Sequence, residues 1–289
     1  MTSATDPSPV AAVPRLIATD LDGTLLRDDK TVSQRTVAAL AAAEEAGIEV
    51  FFVTGRPARW MSVVSAHVHG HGLAICANGA AVVDLHDNGR VLKVHDIGRE
   101  TALRVVEALR AAAPGTTFGI ETTVGFHNEP DYPRQQSHDP GSIVAVAEKL
   151  LHEESPGTGS PVLKLLAHHS ELEPDAFLAL ARAAAGTLCS ITRSSPSSLL
   201  EISGLGVSKA STLALCCAER GISADEVVAF GDMPNDVEML TWAGTSYAMG
   251  NAHPAVLAAA SGRTDANNDD GVAVVIEEIL RDLPALRNH

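Results

Sequence analysis

Aromatic side chains make up only 3% of this chain. Its cores must therefore be aliphatic, and few rings are available to stack on a large planar ligand such as a flavin phosphate. Cysteine is almost absent. Cys76, Cys189, Cys216 and Cys217 show no Cys-x-x-Cys spacing and read as buried free thiols in a reducing cytoplasm. No apolar run approaches the roughly 18 residues that a membrane span needs. Residues 1–13 have neither a basic start nor a long apolar segment. They read as a disordered tail, not a signal peptide. Positive charge is short too: 21 Lys and Arg stand against 36 Asp and Glu, a net charge of −15. That argues against nucleic acid as a partner, because phosphate backbones need a basic face. A phosphorylated small molecule would have to find local positive charge inside a repulsive overall field.

What is present is an alternation of strand and helix signals, interrupted once. The 289 residues, 45% of them hydrophobic, suit two domains. Residues 14–84 read as strand, helix, strand, helix and a short hairpin. Ser33 is a candidate N-cap of a helix to Ala46, Gly47 its C′ residue, and Pro57 the opening of the next helix. The dipeptide Asn78-Gly79 signals a tight turn between Leu73–Cys76 and Ala80–Val83. Residues 85–198 change character. Strand-like runs there alternate with helical patterns at about Arg99–Ala113, Ser142–Leu151 and Asp175–Ala185, with Pro- and Gly-rich loops between them, as expected of an inserted α+β domain. Residues 199–289 return to strand and helix.

Four short segments carry the chemistry. Asp20-Leu21-Asp22-Gly23-Thr24 closes the apolar run Leu16–Thr19. Thr54-Gly55-Arg56 closes Ile48–Val53. Lys209 follows Gly206-Val207-Ser208, and Gly231-Asp232 with Asn235-Asp236 closes Val227–Phe230. Three strands thus end in carboxylates or hydroxyls at one edge of a parallel sheet, where open α/β sheets bind ligands. An isolated Asp-x-Asp reads as a solvated turn or a loose metal site, and a lone Lys at a helix start as a surface residue. The order and context of the four segments argue otherwise.

This constellation resembles the haloacid dehalogenase-like hydrolases, and within them the Cof-like IIB sugar phosphatases with a type-2B cap. Ala77-Asn78-Gly79-Ala80, Leu200-Glu201-Ile202, Met249-Gly250-Asn251-Ala252 and Asp270-Gly271-Val272-Ala273 support the resemblance, which covers about Leu16 to Leu283. It implies a Rossmann-like α/β core with residues 85–198 as an α+β cap over the active site.

The resemblance also assigns roles. Asp20 is the nucleophile that forms an aspartyl-phosphate. Asp22 protonates the leaving alkoxide and later takes a proton from water; dehalogenating relatives lack this second carboxylate. A dianionic phosphate beside a carboxylate needs a cation, and Mg²⁺ fits through hard oxygen ligands. The Asp20 carboxylate, the Asp22 carbonyl and the Asp232 carboxylate would hold it. Asp236 orients metal waters or Lys209, and Asn235 touches metal waters or phosphate. Thr54 and Gly55 bind a phosphate oxygen, Lys209 adds a point charge at a helix start, and Arg56 reaches a phosphate or a carboxylate. Asn78 and Gly79 line the leaving-group side. Lys164, Arg134, Arg193, His127 and His138 are leaving-group candidates in the cap. The tract His67-Val68-His69-Gly70-His71 looks like a metal motif but lacks carboxylate or Cys partners. The expected activity is Mg²⁺-dependent hydrolysis of small phosphorylated metabolites, sugar phosphates above all, by a cytoplasmic monomer or homodimer. A phosphomutase and a non-catalytic sugar-phosphate-binding regulator are the alternatives.

Overall fold

The computed structural model describes residues 13–65, 72–87, 89–133, 141–152 and 159–286. The chain begins with β1 (Leu16–Thr19), α1 (Gln34–Glu45), β2 (Glu49–Val53), a short α2 (Ser62–Ser65), β3 (Leu73–Cys76), β4 (Ala81–Asp84) and β5 (Arg90–Val94). It continues through α3 (Arg99–Ala112), β6 (Thr117–Thr122), β7 (Phe126–Asn128), α4 (Ala147–Leu150), β8 (Val162–His168), α5 (Pro174–Ala185), β9 (Cys189–Thr192) and β10 (Leu199–Gly204). It closes with α6 (Lys209–Glu219), β11 (Val227–Gly231), α7 (Val237–Trp242), β12 (Thr245–Ala248), α8 (Pro254–Ala259), β13 (Gly262–Arg263) and α9 (Gly271–Leu286).

Two sheets result. The first runs β13-β12-β11-β1-β2-β3-β4-β5. It is parallel from β13 to β3, and the hairpin strands β4 and β5 extend it antiparallel. Its central strands are buried on both faces, as continuous apolar runs between helical layers must be. Separate apolar clusters fill the two sides. The second sheet, β7-β6-β8-β10-β9, is wholly antiparallel. Helices α3 and α5 share its own apolar core.

Local chemistry explains the helix starts that position the site. Ser33 caps α1 by accepting from the Thr36 amide. Ser208 and Ser211 form a reciprocal capping box that opens α6 at Lys209. Pro174 occupies the first turn of α5.

Several boundaries differ from the sequence reading. β10 follows residue 198 yet belongs to the second sheet, because its ladder partners are β8 and β9. β5, read with the insert, pairs with β4 at the edge of the first sheet. The helix expected over Ser142–Leu151 shrinks to Ala147–Leu150 because Ile143 and Ala145 bond to the Asn128 backbone instead. Pro57 caps a single 3₁₀ turn, Ala58–Trp60, before the four residues of α2. The four cysteines are buried and unpaired, as expected. The expected N-terminal tail, apart from Val13, and the histidine tract lie outside the described residues. No helix among the described residues is long and apolar enough to cross a membrane.

Candidate active site

Strands β1, β2 and β11 are neighbours, so the loops at their carboxyl ends meet. Asp20 leaves β1 with its amide donating to the Phe230 carbonyl of β11. The chain then turns tightly, the Leu26 amide returning to the Leu21 carbonyl at 2.8 Å. Gly23 makes this turn at φ +77°, where a Cβ would lie 2.2 Å from Asp232 Oδ2. Glycine is therefore required twice here, for the left-handed backbone and for the close approach. The Asn251 side chain pins the loop by donating to the Gly23 carbonyl at 2.8 Å.

Lys209 sits at the first turn of α6 with only 1% of its side chain exposed. Its Nζ donates to Asp20 Oδ1 at 2.6 Å and to Asp236 Oδ1 at 2.7 Å. The other Asp236 oxygen accepts from the Asp232 and Met233 amides, both at 3.0 Å. Both oxygens of Asp236 are thus engaged, and its part is to hold Lys209 and the Asp232 loop. Asp232 Oδ1 accepts from the Thr24 hydroxyl at 3.0 Å. Burial and the neighbouring Asp236 push the Asp232 carboxyl up to about 7, against the Thr24 hydrogen bond. Asp20 is raised as well, chiefly by burial, which Lys209 only partly offsets.

Asp22 is in a different environment. Arg56 grips it at both oxygens, Nε to Oδ2 at 2.5 Å and Nη2 to Oδ1 at 2.7 Å, and Lys30 Nζ donates to Oδ1 at 2.9 Å. Burial alone would raise this carboxyl, but the two cations outweigh it and bring it down to about 2. Arg56 therefore reaches a carboxylate in this state. Lys30 was not singled out in the sequence; a loop lysine eight residues past Asp22 carries no local signal.

The buried Thr54 hydroxyl accepts from the Arg56 amide at 3.1 Å. Beside it, Lys164 of β8 donates to the Gly55 carbonyl at 2.7 Å and to Glu201 Oε2 of β10 at 2.5 Å. A Cβ on Gly55 would meet Asn78 Oδ1 and Glu201 Oε2 at 3.2 and 3.3 Å. Asn78 donates to Glu201 Oε2 at 2.6 Å and accepts from Asn235 at 3.1 Å.

A cavity of about 390 Å³ opens between the two sheets. Its core wall includes Asp20, Asp22, Lys30, Thr54, Arg56 and Asn235. From the second sheet come Glu121, Lys164 and Glu201, together with the apolar Phe126, Leu166 and Leu199. Arg59 and Trp60 reach in from the turn after β2, and Arg59 pairs with Glu121.

The structure thus brings Asp20, Asp22, Thr54, Gly55, Arg56, Lys209, Asp232, Asn235 and Asp236 together around one loop cluster, with Asn78 behind them. Gly79 is not on the cavity wall; it packs against the Ser208 carbonyl, where a Cβ would come to 2.3 Å. Of the leaving-group candidates among the described residues, only Lys164 lines this cavity. Arg193 is held by Asp175, the Ser195 carbonyl and His253. His127 Nδ1 accepts from the Ile143 amide. Arg134 and His138 lie outside the described residues. Reading the sequence for chemistry missed Arg59, Trp60 and Glu121, and took Glu201 only as part of a pattern. A charged residue within a buried strand was the available signal for Glu201.

The donor set suits a hard divalent cation. Carboxylate oxygens of Asp20, Asp232 and Asp236 lie within 4.8 Å of one another, and one lysine offsets only one of three buried charges. Asn235 Oδ1 is buried without a partner among the described residues. Asp20 and Asp232 keep oxygens for direct ligation, whereas Asp236 does not.

Comparison with known proteins agrees. The family profile of the haloacid dehalogenase-like hydrolases matches residues 17–276. The chain is 30% identical over 267 residues to the 5-amino-6-(5-phospho-D-ribitylamino)uracil phosphatase YitU of Bacillus subtilis, covering 92% of this chain and 97% of that protein. It is 30% identical over 273 residues to the pyridoxal phosphate phosphatase YbhA of Escherichia coli, covering 91% and 97%. A phosphatase structure from Bacteroides thetaiotaomicron superposes with a TM-score of 0.77 at 25% identity, over 96% of this chain and 99% of that one. The chain belongs to the haloacid dehalogenase-like hydrolases, in their Cof-like IIB branch, and is a phosphatase like the relatives it matches.

Proposed function

We propose that this protein is a Mg²⁺-dependent phosphatase of small phosphorylated metabolites, sugar phosphates above all, working through a phosphoryl group carried on Asp20. One observation supports this most: Asp20, held by Lys209, opens onto a roofed cavity that also holds a second carboxylate two residues on.

In the first step an Asp20 oxygen attacks phosphorus, the ester P–O bond breaks, and the leaving oxygen takes a proton from Asp22. In the second step water attacks phosphorus and gives its proton to Asp22, and the Asp20–phosphate bond breaks to release inorganic phosphate. Arg56 and Lys30 hold Asp22 ionised, the form that accepts a proton in the second step. A phosphate dianion competing for the same two cations frees Asp22 to carry a proton in the first. Lys209 and the Thr54 hydroxyl bind the phosphoryl oxygens. Asp20, the Asp22 carbonyl and Asp232 would hold Mg²⁺, which neutralises phosphate charge. Residues 85–204, less the edge strand β5, act as the cap and exclude bulk water.

The cap side of the cavity suits a leaving group of mixed character. Lys164, Glu201, Arg59 and Glu121 can bind hydroxyls, while Trp60, Phe126, Leu166 and Leu199 offer an apolar wall. Scarce as aromatics are, two of them stand in this cavity. A ring-bearing leaving group is therefore not disfavoured by composition, and two relatives are named for substrates that join a phosphorylated arm to a ring.

The test is phosphate release from a panel of sugar, polyol, pyridoxal and nucleotide phosphates, with Mg²⁺ and with chelator. Release that needs Mg²⁺ and vanishes in Asp20→Asn supports the reading. Release that survives Asp20→Asn removes Asp20 as the nucleophile.

A further inference from the structure

Glu201 is a buried carboxylate in the apolar strand β10, and one of its bonds, to Asn78, leaves its own sheet. Oε2 accepts from Lys164 Nζ at 2.5 Å and from Asn78 Nδ2 at 2.6 Å, and Oε1 accepts from the Ser194 hydroxyl. An ionised carboxylate has no hydrogen to give. Asn78 must therefore turn its amide nitrogen to Glu201 and its oxygen away. That oxygen accepts from Asn235 Nδ2 at 3.1 Å. A carbonyl oxygen also only accepts, so the Asn235 amide is fixed in turn. Its nitrogen faces Asn78, and its own Oδ1 is the end left over. That Oδ1 is buried and has no partner among the described residues, and Asn235 lines the same cavity as Asp20 and Asp22.

We infer that Glu201 is a positioning residue: through Asn78 it sets the polarity of the Asn235 amide, leaving an acceptor for a water carried by the cation at Asp20 and Asp232. This rests on the metal-dependent reading proposed above. From sequence, Asn235 could serve metal waters or a phosphate oxygen, and polarity separates the two. A phosphate oxygen and Asn235 Oδ1 are both acceptors and repel, whereas a metal-bound water donates. The relay also crosses between the sheets, from β10 to the turn after β3. The acceptor is therefore set only while the insert is docked on the core, which ties closure to readiness of the metal site.

The test uses wild type, Glu201→Met and Asn78→Asp. Mg²⁺ affinity is measured by calorimetry without substrate, and kcat and KM are measured on p-nitrophenyl phosphate. In Glu201→Met no acceptor faces the Asn78 amide, so nothing holds its nitrogen on that side and the relay loses its polarity. Glu201→Gln would not serve, because Lys164 only donates and would keep the new carbonyl oxygen turned to itself and to Asn78. The expected result for Glu201→Met is Mg²⁺ affinity about tenfold weaker and a lower kcat, beside a KM raised by the loss of the Lys164 pair. In Asn78→Asp the new carboxylate still accepts from Asn235 but repels Glu201, so Mg²⁺ affinity stays at or above the wild-type value while KM rises. If Glu201 only docks the insert, both variants raise KM and neither weakens Mg²⁺ binding; that outcome overturns the inference, as does a Glu201→Met protein identical to wild type. Should Glu201→Met fail to fold, a crystal structure of the wild type with Mg²⁺ decides. Asn235 Oδ1 on a metal-bound water, with Nδ2 on Asn78, supports the relay, and any other Asn235 contact overturns it. Wild type that binds no Mg²⁺ overturns the metal-dependent reading and the relay together, and is recognised because it shows without any mutation.

Discussion

Lys164, on the second sheet, donates a 2.7 Å hydrogen bond to the carbonyl of Gly55, in the loop that follows β2 of the first. The contact lies at the roof of the cavity and sits one residue from Thr54. It makes Lys164 both a wall of the site and a tie between the two halves. It also gives Glu201 a cation inside a buried environment: burial alone would raise the Glu201 carboxyl, but Lys164 and Ser194 bring it below the usual range. Lys164→Met keeps the length and removes the charge, leaving Glu201 buried with no cation. The expected outcome is a KM raised by about tenfold or more and a lowered melting temperature, since breaking one side of a buried pair costs about 3–5 kcal/mol. Steady-state kinetics beside calorimetry would check it; an unchanged KM would show that Lys164 neither closes the cap nor meets substrate.

Lys209 lies between two buried carboxylates and contacts both. In Lys209→Met, Asp20 and Asp236 face each other with no cation. Phosphate release should fall below detection. Stability should drop by about 3–5 kcal/mol at neutral pH, a melting shift of roughly 10 °C for a chain of this size. The deficit should shrink toward pH 5, because an unpaired buried carboxyl takes up a proton instead of staying charged. A deficit independent of pH would point to lost packing as the cause.

The catalytic loops were legible in sequence because each ends an apolar strand, and three such strands are adjacent in the sheet. The rest depends on contacts between distant parts of the chain. β10 and β5 could not be assigned to a sheet, since a short apolar run looks the same whichever neighbour completes its ladder. Lys30 joins Asp22 only because the loop after β1 folds back. Glu121 and Glu201 become cavity residues because their strands turn the same face to the core. Ser142–Val146 has helical spacing, yet its backbone bonds to Asn128 prevail over that propensity.

Gly23 packs against Asp232 more closely than any side chain allows, with a Cβ at 2.2 Å from Oδ2. Gly23→Ala must therefore move Asp232 or the loop carrying Asp20 and Asp22, and it adds strain at φ +77°. Mg²⁺ affinity should fall by about tenfold or more, with kcat falling alongside it and secondary structure unchanged by circular dichroism. Wild-type affinity in this variant would mean that the Asp232 carboxylate is not a ligand.

The carboxyls around the proposed metal site make stability depend on pH in an unusual direction. Asp232 titrates near 7 in the folded chain and Asp20 is also raised, against about 3.9 for an unfolded aspartate. Between about pH 4 and 7 the folded state therefore binds more protons than the unfolded one, and stability falls as pH rises through that window. Asp22 has the opposite sign. Lowered to about 2, its contribution is complete above about pH 4 and is lost only below that. Metal-free protein should accordingly melt at a higher temperature at about pH 5 than at about pH 7.5. A divalent cation binds the ionised carboxylates and competes with their protons, so Mg²⁺ should raise the melting temperature more at the higher pH. Calorimetry at both pH values, with Mg²⁺ and with chelator, measures the two effects together. A metal-free melting temperature that rises across this window would show that Asp20 and Asp232 are ionised without the cation, and that the acidic cluster does not depend on Mg²⁺ for its charge balance.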